Sequence, residues 1–359
     1  MSKNNEFYER FHLSIPVIQA PLAGGGDTPQ LVAAVCNAGG LGFIGAAYLT
    51  PEQIIEAGKE VRRRTSRTFG INLFAPLPPS ELGTDLASAL ERVAPFFAEL
   101  NLTPPILPIP EKSSFDNQLA AALETGAAVL SFTFGILPET AIQRARSRQL
   151  FLMGTATTVE EARMLEQAGV DAVVAQGSEA GGHRGTFGTD FGSGMIGTLA
   201  LVPQVADAIQ IPVIASGGIM DGRGIVASLA LGASAVQMGT AFLTCEEAGV
   251  PDVYKQAVLS AREQDTRITR AFSGRPARGI ANNFMSVVES PAEPDAVLPF
   301  PHQNALTRPL RTEAGKRGRA DLLSLWAGQG LRLARRQTVA ALMSRMADEM
   351  ELAKASLLN

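Results

Sequence analysis

His183 is the one histidine whose surroundings suit chemistry. It lies in Gln176-Gly177-Ser178-Glu179-Ala180-Gly181-Gly182-His183-Arg184-Gly185, a glycine-rich loop directly after the apolar run AVVAQG (172–177). A histidine near neutral pKa acts as a general base or donates a hydrogen bond to an anion. His12 lies in the N-terminal segment, and His302 follows Pro301 in a proline-rich stretch. Two further loops pair small residues: Gly217-Gly218 ends PVIASGG (212–218), and Gly239-Thr240 lies within AVQMGTAF (235–242). Such residues let backbone N–H groups approach an anion, with no lysine needed. Singly these glycines would be no more than tight turns; paired in successive loops they point to a phosphate-bearing ligand. Gln19, Gln176 and Gln237 carry amides that could read a polar heterocycle or be used up in structural hydrogen bonds. Asn72, inside the apolar FGINLF (69–74), is a buried amide that needs partners, and a ligand could supply them.

Other chemistries are excluded. The chain has no GxxxxGK[ST] loop, no metal-like His/Cys cluster and no GxSxG string. The GxGxxG string Gly192–Gly197 follows no apolar run, and about 20 residues on stands Gly217 rather than an acid, so it is no dinucleotide fingerprint. With 31 Lys+Arg against 35 Asp+Glu, a net −4, there is no wide basic footprint for nucleic acid or anionic membrane. At 46% hydrophobic and 18% charged residues, the 359-residue chain has ample means to bury a core. Cys36 and Cys245, both in apolar stretches, read as reduced core thiols. The opening MSKNNEFYERFH lacks the apolar run of a signal peptide, and no stretch reaches the roughly 18 apolar residues of a membrane helix. The expectation is a cytoplasmic protein.

The elements that must position these residues are regular. Eight short runs are apolar throughout: PVIQA (16–20), LGFIG (41–45), FGINLF (69–74), AVLSFTFG (128–135), LFLMGTA (150–156), AVVAQG (172–177), PVIASGG (212–218) and AVQMGTAF (235–242). Parallel strands covered on both faces have this character. Between them lie helices with clear starts: Thr28-Pro29, the capping box Thr50-Pro51-Glu52-Gln53, and Thr158-x-x-Glu161. NAGGLGFIG, QAGVDAVVA and ALGASAVQM repeat one junction of helix end, glycine and strand. Eight βα units predict an α/β fold, a TIM-type (β/α)8 barrel, whose site lies at the C-terminal strand ends. The loops after the seventh and eighth strands are a common phosphate site in such barrels. The connection across 75–127 is long and rich in proline, and is expected to carry helices at the mouth. The expected organisation is a barrel over 1–245, an added helical lid region over 246–320, and a C-terminal helix over 321–359 packing back on the barrel. The arginine-rich LRLARRQTVAALMSRM reads as one helix with a solvated face.

Taken together, these residues resemble the class I nitronate monooxygenases, formerly 2-nitropropane dioxygenases. The resemblance runs through IQAPLAGGGDTPQLVAAVCNAGGLGFIG (18–45), GINLFAP (70–76), SFTFG (131–135) and DAVVAQGSEAGGHRGTF (171–187). It continues in IPVIASGGIMDGRG (211–224), GASAVQMGTAFL (232–243), SGRPARGIANNF (273–284) and SLWAGQG (324–330). It implies FMN as cofactor, contacted by Asn72, Gln176, Gly181, Gly217, Gly218, Gln237, Met238, Gly239 and Thr240, with the turn Ala20-Pro21-Leu22-Ala23 near the isoalloxazine. His183 matches the residue that serves as base or anion-stabilising donor, and Thr133 and Tyr254 fall in the substrate pocket. Many relatives carry histidine at Thr133, and tyrosines near position 109 and at Gln303. These departures bear on substrate preference more than on flavin. The implied reaction is FMN-dependent oxidation of an alkyl nitronate, propionate 3-nitronate foremost, by O2 to a carbonyl compound and nitrite in one-electron steps without NAD(P)H. Two alternatives are NAD(P)H-dependent flavin reduction of quinones or enoyl thioesters on the same barrel, and a flavin-holding protein without turnover. The partners are a small nitronate and O2, with no nucleic acid, no membrane and no metal; homo-oligomerisation is left open.

Overall fold

The structure, a computed structural model, describes residues 3–78, 86–106, 115–290 and 296–358. Eight strands alternate with helices in chain order. They are β1 (Val17–Gln19), β2 (Phe43–Gly45), β3 (Gly70–Phe74), β4 (Val129–Thr133), β5 (Phe151–Ala156), β6 (Ala172–Gln176), β8 (Val213–Ser216) and β9 (Ala235–Met238), with a two-residue strand β7 (Gly182–His183) between the sixth and seventh of them. All eight pair in parallel in the order β1-β9-β8-β6-β5-β4-β3-β2, and a parallel bridge between Ile18 and Leu41 joins the ends. The fold is a (β/α)8 barrel, as the apolar runs predict.

Alternation along each strand explains why the runs are apolar throughout. Ile18, Phe43, Val129, Met153, Val174, Ile214 and Ala235 point inward and form one core, while neighbours such as Val17, Ile44, Leu130, Leu152, Val173 and Val236 belong to the core under the outer helices. The interior is stoppered at one end by α1 (Lys3–Phe11). Its Phe7 and Phe11 meet Phe151 edge-on at 5.9 and 5.1 Å. Burying a ring of this size contributes about 1.5–3 kcal/mol.

The outer layer is α2 (Pro29–Asn37), α3 (Pro51–Arg64), α5 (Phe115–Glu124), α6 (Glu139–Ser147), α7 (Val159–Gln167), α8 (Thr198–Ala208) and α9 (Gly222–Ala230), with α4 (Leu86–Glu99) inside the long connection after β3. The residues of that connection near position 109, where relatives were expected to differ, lie outside the described residues. The threonine starts form as expected: Thr28 accepts from Leu31 N, Thr158 from Glu161 N, and Thr50 and Gln53 make a reciprocal capping box.

Beyond the barrel come α10 (Thr240–Leu243), α11 (Asp252–Ser260), β10 (Thr266–Thr269), β11 (Ala277–Ile280), α12 (Asn283–Val288), α13 (His302–Lys316) and α14 (Val339–Leu358). The lid region is therefore not helical alone: β10 and β11 form an antiparallel sheet with β7. We propose the division at 245 and 320 as a description of organisation, although the second apolar core also takes in Val93, Phe96 and Phe97 of α4 and Leu322–Leu331. The arginine-rich stretch is not one helix. Residues 331–333 make a single 3-10 turn, an extended piece follows, and α14 starts at Val339. α14 then lays Val339, Leu342, Met343, Met346 and Met350 on the barrel core. Among the described residues no helix is long and apolar enough to cross a membrane.

Candidate active site

A cavity of about 800 Å³ opens over the C-terminal ends of the barrel strands, within the size range of small-molecule and cofactor sites. Every candidate residue from the sequence except Gln19 lines it. Ala20, Pro21, Leu22 and Ala23 follow β1; Asn72 and Thr133 come from β3 and β4; Gln176, Gly181 and His183 belong to β6 and the loop after it. Gly217 and Gly218 follow β8, Gln237 through Thr240 end β9, and Tyr254 enters from α11.

The two phosphate-type loops have the backbone such a role requires. Gly217 and Gly218 take φ of +116° and +73°, a region that side chains disfavour. A Cβ on Gly217 would stand 2.8 Å from Thr198 Oγ1 and 3.0 Å from Gly177 O. Thr198 holds the loop by donating to Gly217 O at 2.9 Å, and its own N–H is held by the Glu179 carboxylate. Gly239 would direct a Cβ to within 3.7 Å of Ala20 and Leu22, so the missing side chain keeps that wall open. The segment Trp326–Gly330 straps these loops together: Gly328 N donates to Thr240 Oγ1 at 2.9 Å, and Gln329 N to Glu179 O at 2.9 Å. Gly181 is needed beneath the strap, since its Cβ would come within 2.5 Å of the 327–328 backbone. The chemistry of this set, bare backbone N–H groups beside the Asn72 and Gln237 amides in an apolar-walled cavity, fits a phosphate joined to a polar heterocycle such as FMN.

The amides divide between two uses. Gln19 is fully buried and accepts from Phe43 N at 3.0 Å while its Nε2 donates to Ala20 O, so it closes the barrel between β1 and β2. Gln176 is also committed, donating to His183 O at 3.0 Å and accepting from Gly185 N at 2.8 Å. Asn72 donates to Ser131 Oγ at 2.9 Å. Tyr254 gives its hydroxyl to Trp326 O at 2.8 Å and so fixes the strap.

The loop after β1 is pinned by a residue that sequence reasoning passed over. Asp27 Oδ2 accepts from Leu22 N at 2.8 Å and from Gly45 N at 2.5 Å. Loss of solvent outweighs these bonds and pushes its carboxyl up to about 7.

His183 is placed by the added region. β7 pairs with β11, with Ala277 opposite His183, and the imidazole Nε2 lies 2.9 Å from Ser273 Oγ. The serine hydroxyl has one hydrogen, and Arg275 O lies 3.1 Å from its Oγ. A Nε2–H donating to Ser273 Oγ would leave the serine hydrogen to Arg275 O and Nδ1 unprotonated, while a serine O–H donating to Nε2 would use the same 2.9 Å contact with the opposite tautomer. Phe134, Phe300 and Trp326 surround the ring at centroid distances of 5.6–6.1 Å. Desolvation, then the nearby charges of Arg275 and Arg311, depress the imidazole pKa to about 3, so His183 is neutral at physiological pH. Arg275 stacks on Phe134 at 3.9 Å and donates to Thr186 O at 2.7 Å. Phe134 itself takes φ +77°, a conformation rare for an aromatic residue, next to Thr133 in the wall of the cavity.

Ser273, Arg275, Arg311 and Tyr48 were not anticipated as site residues. The only sequence signal for the first two was the family-like string SGRPARGIANNF, to which no role attached.

Similarity to known proteins gives the family of the chain. The family model described as nitronate monooxygenase matches residues 5–349. A probable nitronate monooxygenase of Staphylococcus haemolyticus is 43% identical over 350 residues, 97% of each chain, and one of Staphylococcus saprophyticus is 42% identical over 93% of this chain and 94% of its own. Among solved structures, a nitroalkane oxidase from Streptomyces ansochromogenes superposes with a TM-score of 0.90 at 41% identity, covering 98% of this chain and 99% of its own. FabK from Thermotoga maritima is more distant, with a TM-score of 0.75 at 28% identity over 98% and 97% of the two chains. With its barrel, its strand-end cavity and a match across nearly the whole sequence, the chain belongs to the nitronate monooxygenase family, enzymes that oxidise nitronates.

Proposed function

We propose that the protein oxidises alkyl nitronates with O2 to a carbonyl compound and nitrite, using FMN and no NAD(P)H. The observation that carries this reading is one cavity lined by both the glycine loops and a neutral His183 aligned by Ser273. Gly217, Gly218, Gly239 and Thr240 would hold the phosphate of FMN, and Asn72 and Gln237 would face its ring system, with Ala20–Ala23 beside it. When bound, FMN supplies the acceptance of electrons from the nitronate and their delivery to O2. The rest is positioning and charge. Arg275 places a fixed positive charge near the imidazole, favouring an anionic substrate there. The low pKa makes the imidazole a weak base by itself, so His183 would take the α-proton of a neutral nitroalkane only as the developing nitronate anion beside it raises its proton affinity, with Ser273 Oγ fixing the ring. The aromatic wall of Phe134, Phe300 and Trp326 keeps bulk water from the reacting carbon. Its small-molecule substrates, the buried reduced thiols Cys36 and Cys245 and a cytoplasmic setting form one consistent picture.

The test is oxygen uptake by the purified yellow protein on addition of an alkyl nitronate in air, without pyridine nucleotide. Uptake matched by nitrite release is expected. His183→Asn should lower turnover at least about 100-fold with flavin content unchanged. No uptake, combined with rapid anaerobic bleaching of the flavin by NADPH, would replace this reading with a reductase. Bound flavin that neither nitronate nor NADPH reduces would indicate a holder without turnover.

A further inference from the structure

Arg184, next to His183 in the chain, is a buried cation that the proposed reaction does not use. All the bonds of its guanidinium run to oxygen atoms of the loop that carries His183. Nη1 donates to Gln176 O at 2.5 Å, to Gly177 O at 2.8 Å and, more weakly, to Gln176 Oε1 at 3.3 Å, while Nη2 donates to Gly194 O. Its Nε is buried without a hydrogen-bond partner. Among the described residues no carboxylate stands within salt-bridge distance of it; Glu161 and Glu179 act on it only from farther away, and Arg278 opposes them. Loss of solvent lowers its pKa to about 10, so it stays charged at neutral pH. Bracing carbonyls needs donors and not a charge, and an unpaired buried charge is costly to hold for bracing alone.

Gln176 carries the influence of that charge to the cavity. It lines the wall, and its carboxamide is fixed by three bonds: Oε1 accepts from Gly185 N at 2.8 Å and from Arg184, and Nε2 donates to His183 O at 3.0 Å. An amide nitrogen has two hydrogens, and the second makes no hydrogen bond among the described residues. A cation at Oε1 draws electron density through the amide and makes the remaining N–H a stronger donor. The Gly177 carbonyl, also bonded to Arg184, lies 3.0 Å from the place a Cβ on Gly217 would take. One guanidinium is therefore a single carbonyl away from both the cavity wall and a glycine loop.

We propose that Arg184 raises the reduction potential of the bound flavin, acting on its ring system through Gln176. The inference rests on the reading of the cavity as an FMN site. Each electron that the ring accepts from the nitronate leaves negative charge on it until a proton follows, and O2 then takes the electrons away. A fixed positive charge behind the Gln176 amide favours the reduced ring over the oxidised one. Arg184 does not itself line the cavity, so it is a positioning residue and not a catalytic one.

Anaerobic reduction of the FMN-loaded protein with dithionite, beside a reference dye, gives the midpoint potential in wild type, Arg184→Met, Arg184→Gln and Arg184→Lys. Flavin content and melting temperature are read on the same samples. A unit charge roughly 10 Å from a redox centre, at an effective dielectric of about 20, changes an equilibrium constant by about tenfold. The two neutral variants should therefore lower the potential by at least about 30 mV, which is tenfold for a two-electron couple. Arg184→Lys keeps the charge and should recover at least half of that shift. Arg184→Gln keeps N–H donors for the carbonyls and is the neutral variant to read if Arg184→Met does not fold. A brace alone would lower melting temperature and flavin content in all three variants while the potential of the remaining flavin stayed put, and that result would overturn the proposal. An equal shift in all three, lysine included, would assign the effect to geometry and overturn it as well. Wild type that takes up no FMN would remove the cofactor reading and this inference together, whereas bound FMN with an unmoved potential would remove the inference alone. A charge-dependent shift in a protein that oxidises no nitronate would uphold the inference and sink the oxidase reading.

Discussion

Replacing Asp27 with asparagine should stabilise the protein at alkaline pH and do almost nothing at acid pH. Both N–H groups that hold the carboxylate, from Leu22 and Gly45, converge on the single oxygen Oδ2. An amide oxygen can accept both, so the loop keeps its anchor. What disappears is the charge. The carboxyl moves from an ordinary 3.8 to about 7 because burial disfavours the ionised form. Between those values the folded state binds a proton that the unfolded state has released, so stability falls as pH rises through the window. A separation of roughly three units corresponds to about 4 kcal/mol in all, of which the portion between pH 5 and pH 7 is about 2 kcal/mol. At about 2.1 cal/mol/K per residue, a chain of this length shifts its melting temperature by about 5 °C for the full 4 kcal/mol. Thermal melts of wild type and Asp27→Asn at half-unit steps from pH 5 to pH 8 test this. The variant should already melt about 2 °C higher at pH 5, and the gap should widen to about 5 °C at pH 8, closing only as pH falls below the ordinary carboxyl value. Parallel curves across the whole range would show that Asp27 carries no desolvation penalty, and the reasoning would fail.

Two further outcomes are expected. Ser273→Ala removes the hydrogen-bond partner of His183 Nε2, and a lost hydrogen bond of this kind is worth about 1–2 kcal/mol, so steady-state kcat should fall about 5- to 30-fold with flavin content unchanged. Ser273→Thr should recover part of the loss, and an unaltered kcat in the alanine variant would remove the serine from the mechanism. Gly217→Ala forces a side chain into φ +116° with its Cβ 2.8 Å from Thr198 Oγ1, at about 1–3 kcal/mol. Protein purified from that variant should carry less flavin per chain by absorbance and melt lower, and full flavin loading would refute the role given to this loop.

The barrel was readable from the sequence because strands covered on both faces have no polar member to break the run, and because Thr28, Thr50 and Thr158 mark helix starts with side chains that bond locally. The cavity glycines were readable for a related reason, since each follows a strand whose end is marked by the loss of apolar residues. β7 was not readable: a Gly-His pair has no period, and it becomes a strand only because β11 lies beside it. β11 itself hides in Ala-Arg-Gly-Ile, where Arg278 looks like a surface residue until it is seen donating to Ser178 O. Arg311 and Tyr48 were missed because they are 263 positions apart in chain numbering and share nothing but a cavity wall. The amides misled in the opposite sense: Gln19 sits at a strand end like a ligand-reading group, but both ends of its amide are occupied by backbone.

The pairing of β7 with β11 also sets an order of assembly. All eight barrel strands and both glycine loops lie before residue 241, so the part proposed to cradle a phosphate is in hand when about two thirds of the chain has been made. The bond that orients the imidazole spans 90 residues and waits for Ser273, and the strap over the loops waits for Trp326–Gly330. Domains form from the N-terminus during synthesis, and contacts of long sequence separation close last. The histidine proposed to react is thus aligned by the most recently made third of the molecule, and a chain interrupted after the barrel would hold the proposed phosphate loops without that alignment.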